Sequence, residues 1–474
     1  MWRPMGRWRT EVLWRLFGIV LIQYVTIQAQ DYDWATFMSL PRGLHWAGLA
    51  GLMLVVLGAR LICLIIAAGV LLCYLLPIYF YVVTLQVSEE YLLFLCLPLT
   101  AILLSVIVML THSGIDERRR EIIDDAHCAL FRVSALMMMS FAAFHKINSD
   151  FLNPDVSCAA GLFANLTDWW NIPFLAVLRN APPAMGIVTE ALVPVLLAIS
   201  PPLGLIYTIF LMAFIGLLGA TAFTLIVIVM ACGFLRDEDG TVIRAGFSKY
   251  KWIIGGITAA VAVISFLTYT GKPHWFGFLL FQSTTLMVLG AAILPVIGGA
   301  PRRQPLRLLP SPAAVRVTLT VYLIAGVVNG FSPYLGWKFR SSFAMLSNLR
   351  TDHARWNHLL VPKAFFLREH DHFIRITKVD MNAPAYRRQQ ALGRRAAKEG
   401  MVVGLVSPMS LALRLKRFNG EDTQVDLHVT YKGADYFFPD ATRSVRLKAW
   451  LAGLPHNKLF QEWLVSEGPQ PCYH

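Results

Sequence analysis

A run of thirty residues, 204–233, contains no charged side chain. Such a run cannot form the surface helix of an ordinary soluble domain, which needs a polar face. About 20 mostly apolar residues suffice to cross a bilayer as a helix. The same signal recurs at 14–30, 44–59, 61–86, 91–111, 128–145, 252–270, 274–298 and 315–334. The sequence therefore predicts a polytopic α-helical membrane protein with about nine transmembrane helices. Residues 184–200 are apolar too, but Pro194 and Pro201-Pro202 bracket their end. They read as a half-helix or as the start of the next span, so ten crossings is the rival count. Pro-broken apolar pieces occur at membrane depth only where protein or a cavity surrounds them.

Charge divides the chain. Residues 336–474 hold 21 Lys+Arg and 12 Asp+Glu, leaving 38 of the 71 charged residues for the first 335. This predicts a transmembrane helical domain, 1–335, and a soluble α+β tail domain, 336–474. With 56% apolar and 15% charged residues, against about 45–50% and 25% in soluble domains, the whole cannot be a soluble enzyme or a disordered chain. The net charge of +13 fits loops held beside anionic lipid. No base-reading motif accompanies it, so the expected partner is the lipid bilayer, with no nucleic acid.

Lys and Arg in short loops orient membrane chains. Arg3, Arg7, Arg9 and Arg15 precede the first apolar run, and Gln23, Gln28 and Gln30 argue against a cleaved signal peptide there. Arg118-Arg119-Arg120, Arg236 to Lys251 and Arg302 to Arg316 mark further basic loops. Threading nine spans with these loops inside gives a cytoplasmic N-terminus and an extracytoplasmic C-terminal domain. A bacterial inner membrane is the expected location. Lys338, Arg340 and Arg350 follow the last span and oppose this orientation, but large domains cross largely regardless of charge. In the tail, residues 372–379 alternate like a strand. Residues 385–400 suit an exposed helix, 424–438 a hairpin turning at Gly433, and 456–464 a short closing helix.

The densest chemistry lies at 141–158, where an apolar helix ends in His145-Lys146 and Asn148, Asp150 and Asp155 follow. A lysine desolvated at a helix mouth can act as a base near neutral pH. The alternative is a lysine that snorkels and marks the helix end. The stretch His145-Lys146-Ile147-Asn148-Ser149-Asp150-Phe151 resembles a motif of the vitamin K-dependent gamma-carboxylase family and its bacterial relatives, the horizontally transferred transmembrane (HTTM) group. That motif reads Ala-Gly-x-Lys-Lys-Leu-x-x-Asp-Trp. The resemblance implies that Lys146 is a catalytic base facing the extracytoplasmic side, that Asp150 matches the motif's Asp, and that Phe151 replaces its Trp. It implies a reduced quinone, such as vitamin K hydroquinone, as cofactor.

The family also carries an essential histidine in Asn-His-x-Tyr-Leu. The matching stretch is Ser88-Glu89-Glu90-Tyr91-Leu92, so Glu89 stands in the histidine's place. A carboxylate cannot donate as an imidazolium does. This departure speaks against glutamate carboxylation and leaves other quinol chemistry open, with Glu89 and Glu90 as a proton relay or as a solvated loop.

A third stretch, 331–363, resembles the segment after the last membrane helix in uncharacterised HTTM-like proteins. Asn348 and Asn357 there offer hydrogen bonds, Arg350 a site for an anionic group, and His358 adjoins them. The alternative is an ordered junction between membrane and tail. Cys158 and Cys472 both fall outside the membrane in this topology and either pair as a disulfide or stay free. No metal site is assigned, although His370-x-His372 would share a strand face.

The first functional expectation is an outward-facing enzyme acting on an apolar quinol or lipid-like molecule. Lys146 would be its base, and His145, Asp150 and Glu89 would tune it. Asn348, Arg350, Asn357 and His358 would close the site from the tail side. The alternatives are a non-enzymatic membrane protein with a binding or assembly tail, and a lipid transporter.

Overall fold

The computed structural model describes residues 8–30, 42–57, 61–69, 89–112, 116–161, 182–217, 221–236, 308–310, 312–335, 347–349, 356–365, 374–382, 404–406 and 424–454, with single positions 163, 239, 256, 343, 351 and 411. The helical block contains α1 (Trp8–Gln30), α2 (Arg42–Leu57), α3 (Glu89–Thr111), α4 (Asp116–His145), α5 (Ser149–Leu152), α6 (Ala184–Ile199), α7 (Pro201–Leu217), α8 (Thr221–Ala231) and α9 (Ala313–Phe331). Residues 61–69 are also helical.

The organising element is α4. Its 30 residues make a rod about 45 Å long, and α1, α3, α6, α8 and α9 all pack against it. Trp14, Phe17, Leu64, Leu104, Phe131 and Val193 are among the buried side chains of the shared core. Contact between α9 and α4 depends on missing side chains. Gly326 and Gly330 are spaced as Gly-Val-Val-Asn-Gly, the small-x-x-x-small pattern that lets membrane helices approach closely. A Cβ on Gly326 would fall on the Met137 sulfur, and one on Gly330 on the Phe141 ring.

The outer faces are apolar. On α9, Val317, Val321, Ile324, Val328 and Phe331 are exposed; their spacing puts them on one stripe. Met185, Val188, Leu192, Val195 and Ile199 do the same on α6, and Leu99, Leu103, Val106 and Leu110 on α3. Exposed apolar surface on this scale marks a face covered by something other than water.

The nine-span expectation is overturned among the described residues. Two helices, Glu117–His145 and Ala313–Phe331, are long and apolar enough to cross a bilayer. Cys96–Thr111, Ala184–Ile199, Pro201–Gly216 and Phe223–Phe234 are apolar but only 10–17 residues long. Uninterrupted apolar sequence reports burial or lipid contact, whereas helix length is set by where the backbone breaks. Within 204–233 the described helices are α7 and α8, residues 218–220 lying outside the described residues, and the segment at 184–200 forms a helix of its own, α6. The runs at 252–270 and 274–298 lie outside the described residues.

The tail has its own core. Strands β1 (Ile374–Asn382), β2 (Gly404–Val406), β3 (Gln424–Tyr431) and β4 (Ala434–Phe438) form an antiparallel sheet in the order β2-β1-β3-β4. Residues 432 and 433 connect β3 to β4 with φ values of 50° and 78°. This is the left-handed geometry that a two-residue hairpin loop requires, and Gly433 supplies it without strain. Val425, Leu427, Val429 and Tyr431 alternate inward along β3. Helix α10 (Val445–Gly453), capped by Ser444, covers that face with Leu447 and Leu451. The helices expected at 385–400 and 456–464 lie outside the described residues. Phe343 belongs to the helical block's core, and Thr351 Oγ1 donates to Pro333 O at 2.9 Å. Phe343 and Thr351 thus pack on the helical block.

Candidate functional site

The site is built around the end of α4. After His145 the backbone closes with short turns, Lys146 N–H to Ala143 O (3.2 Å) and Ile147 N–H to Phe144 O (3.1 Å). Asn148 then caps α5, its Oδ1 accepting from Phe151 N–H at 2.7 Å. This sharp exit keeps the Lys146 side chain inside the bundle, where the residue is 4% exposed. Its Nζ donates to Glu190 Oε2 at 2.7 Å and to Ala142 O at 3.3 Å. It also lies 5.9 Å from the centre of the Phe151 ring.

Glu190 is the only acidic residue of α6, on an otherwise apolar helix, and it too is buried. Bringing two opposite charges out of water costs several kcal/mol per ion, and only close geometry repays it. The pair therefore fixes α6 against α4. An amine held against a carboxylate can pass a proton to it and then accept one from a bound O–H acid.

The residue preceding Lys146, His145, joins a separate aromatic cluster. His145 stacks between Phe141 and Tyr334, each 5.5 Å away centre to centre. Its Nδ1 shares a 2.7 Å hydrogen bond with the Tyr334 hydroxyl. Burial pushes that phenol well above its ordinary range, so it keeps its proton.

His358 approaches from beyond the last helix. Its Nδ1 accepts from Leu360 N–H (3.2 Å) and Val361 N–H (3.0 Å). Backbone N–H groups can only donate, so the ring proton sits on Nε2, which donates to Phe144 O at 3.0 Å. Burial holds this histidine's pKa below its ordinary value, against the opposing pull of the bond to Phe144 O.

Three asparagines clasp the junction to the helix end. Asn148 Nδ2 donates to His145 O (2.8 Å) and Ser347 O (2.6 Å). Asn348, at φ 51°, sits in the left-handed region that asparagine tolerates. Its Oδ1 accepts from Cys158 N–H (2.7 Å), and its Nδ2 donates to Val156 O (2.9 Å). Asn357 Nδ2 donates to Asn348 O (2.8 Å) and Asn148 Oδ1 (3.3 Å), while its carbonyl accepts from Ser149 N–H (2.9 Å).

The structure thus gathers Lys146, His145, Asp150, Asn348, Asn357 and His358 around one helix end. Asp150 is buried in α5, where its Oδ1 accepts a long bond from Ser149 Oγ (3.5 Å). The carboxylate on Lys146 is Glu190, which the sequence reading passed over. Its signal was a lone acid inside an apolar segment, which marks function or pairing by default. Glu89 opens α3, with its side chain outside the described residues, and Arg350 lies outside them altogether. Asn348 serves the backbone of 156–158, so its place is in the clasp. Cys158 is disulfide-bonded. Cys472, its expected partner, lies outside the described residues.

No family model matches the chain, and neither a curated protein nor a solved structure matches it. What fold and site define is a membrane-associated helical protein with a buried lysine–glutamate pair at the end of its central helix.

Proposed function

We propose that this chain is a membrane-embedded acid–base enzyme acting on an apolar, weakly acidic molecule of the quinol type, with Lys146 as base. The observation that carries the reading is the 2.7 Å contact of Lys146 Nζ with Glu190, both buried. Glu190 is the proton store behind the lysine, and His145 with Tyr334 forms a second hydrogen-bonded pair at the same helix end. The residues suit a reduced quinone: Phe151 offers an aromatic face beside Nζ, and Lys146 a basic nitrogen for a phenolic proton. A reduced quinone supplies an acidic O–H and two electrons. With its own proton passed to Glu190, Lys146 would take up a phenolic proton.

The disulfide at Cys158 supports an extracytoplasmic site. Disulfides persist in oxidising compartments, and Cys158 follows Lys146 by only twelve residues. We take the N-terminus as cytoplasmic and the tail as extracytoplasmic, in a bacterial inner membrane. One observation favours the second reading, a non-enzymatic protein with an assembly tail: Asn148, Asn348, Asn357 and His358 spend their polar atoms on backbone groups.

The test is mass spectrometry of small molecules retained by the purified full chain, with oxygen uptake after adding a reduced isoprenoid naphthoquinone. The expected result is a retained quinone and uptake that Lys146→Met abolishes. Uptake equal in wild type and Lys146→Met would overturn the base assignment. A chain that retains no quinone and takes up no oxygen would favour the assembly reading.

A further inference from the structure

A second buried cation lies far from Lys146. Arg132 is near the middle of α4 and 4% exposed. Its Nε is fully enclosed without a partner, and among the described residues no hydrogen bond reaches it. The acids before it on the same helix are already engaged. Asp124 accepts from Arg9 Nε (2.6 Å), Thr10 N–H (2.9 Å) and Thr10 Oγ1 (2.7 Å), and Asp125 from Arg9 Nη2 (2.8 Å).

Asp124 and Asp125 are near enough to attract Arg132 but give it no hydrogen bond, and a buried guanidinium left unbonded is costly. Within apolar helices such groups mark binding sites by default.

Position narrows the ligand. From Ala126 to His145, Arg132 is the one Asp, Glu, Lys or Arg. It stands seven residues, about 10 Å, inside the last acidic residue of α4, Asp125. Long side chains on helices lean toward the N-terminus, so the guanidinium extends back toward the polar end. That end carries charges of both signs, Arg118, Arg119 and Arg120 among Asp116, Glu117, Glu121, Asp124 and Asp125 on α4 itself. The 3-10 turn Cys232–Phe234 packs against this stretch; a Cβ on Gly233 would meet Cys128 O at 2.9 Å and Arg132 N at 3.1 Å. Arg236 follows three residues later. The unbonded guanidinium itself suits an oxyanion, because it binds two oxygens of a phosphate side by side.

We propose that Arg132 anchors a phosphate oxyanion, carried by an acidic lipid headgroup or present as free phosphate. This site is independent of the Lys146 reading. The test is thermal unfolding of the full chain in detergent, with three additions: phosphatidylglycerol, phosphatidylcholine, and inorganic phosphate at constant ionic strength. Phosphatidylglycerol is expected to raise the Tm of the wild type by several degrees where phosphatidylcholine does not. Arg132→Gln should weaken the half-saturation about 10- to 100-fold, the worth of a charged hydrogen-bonded contact, and Arg132→Lys should keep part of the response.

Without added anion, Arg132→Met should melt no lower than wild type, because the unpaired charge is gone. An equal, Arg132-dependent response to inorganic phosphate would uphold the oxyanion site and assign it to the free ion. No anion response in the wild type, or a response unchanged in both Arg132→Gln and Arg132→Lys, would overturn the proposal. Should the Gln variant fail to fold, the Lys variant carries the comparison.

Discussion

The most revealing perturbation is a double-mutant cycle on Lys146 and Glu190. Their charged atoms are 2.7 Å apart, with side-chain exposures of 5% and 10%. At an effective dielectric near 20 the Coulomb attraction is about 6 kcal/mol, most of it offset by desolvation. Glu190→Leu removes the charge and strands an ammonium in the bundle, which costs about 3–5 kcal/mol. Lys146→Met strands the carboxylate and costs a similar amount. Removing both charges together, as Lys146→Met with Glu190→Leu, leaves no buried ion and should fall within about 1–2 kcal/mol of wild type or exceed it. In a block this large each kcal/mol moves Tm by about 2 °C. The single variants should therefore melt up to about 10 °C lower, and the double variant within a few degrees of wild type. The assay is thermal unfolding in one detergent at fixed salt. A double variant that loses the sum of the single losses would show that the two side chains do not interact and would refute the reasoning.

Three further outcomes follow from the geometry. The pKa of folded His358 lies below its unfolded value of about 6.5. Its stabilisation is therefore complete above that value and is lost as pH falls below it, because the unfolded chain takes up the proton first. Melting curves from pH 7.5 to 5 should show a decline that His358→Gln flattens. Gly330→Ala must displace Phe141, which stacks on His145 and Phe343, and should cost about 1–3 kcal/mol. Gly326→Ala meets a flexible methionine and should cost less in the same melt, since Met repacks readily. In the tail, Gly433→Ala places a Cβ at φ 78° and should lower tail stability by about 1 kcal/mol, read from the loss of sheet signal.

Local signals in the sequence carried well where one residue type had one physical use. Gly433 between alternating runs marked the hairpin, and His145-Lys146 followed by Asn148 and Asp150 marked a helix ending in polar residues. Span counting failed for a different reason. Apolar side chains at 204–233 suit lipid and core equally, so hydropathy does not separate a spanning helix from a shorter buried one. The Gly326–Gly330 spacing was present in the sequence but gains meaning only with Met137 and Phe141 beside it. Glu190 was legible as a lone acid in an apolar segment; that Lys146 would meet it across 44 positions was not. Asn348 and Asn357 read as ligand groups because a polar cluster near a membrane looks alike whether it binds a molecule or caps a backbone. Only the recorded bonds to 156–158 and to Ser149 separate the two.

The central claim is that Lys146 works as a base and does not merely hold α6 to α4. The stability-matched variant combining Lys146→Met with Glu190→Leu separates the two roles. Its oxygen uptake with a reduced isoprenoid naphthoquinone, measured beside wild type at the same folded fraction, is the most direct test. The account predicts uptake in the wild type and none in the double variant, although both melt within a few degrees of each other. Uptake at the wild-type rate in the double variant would contradict it.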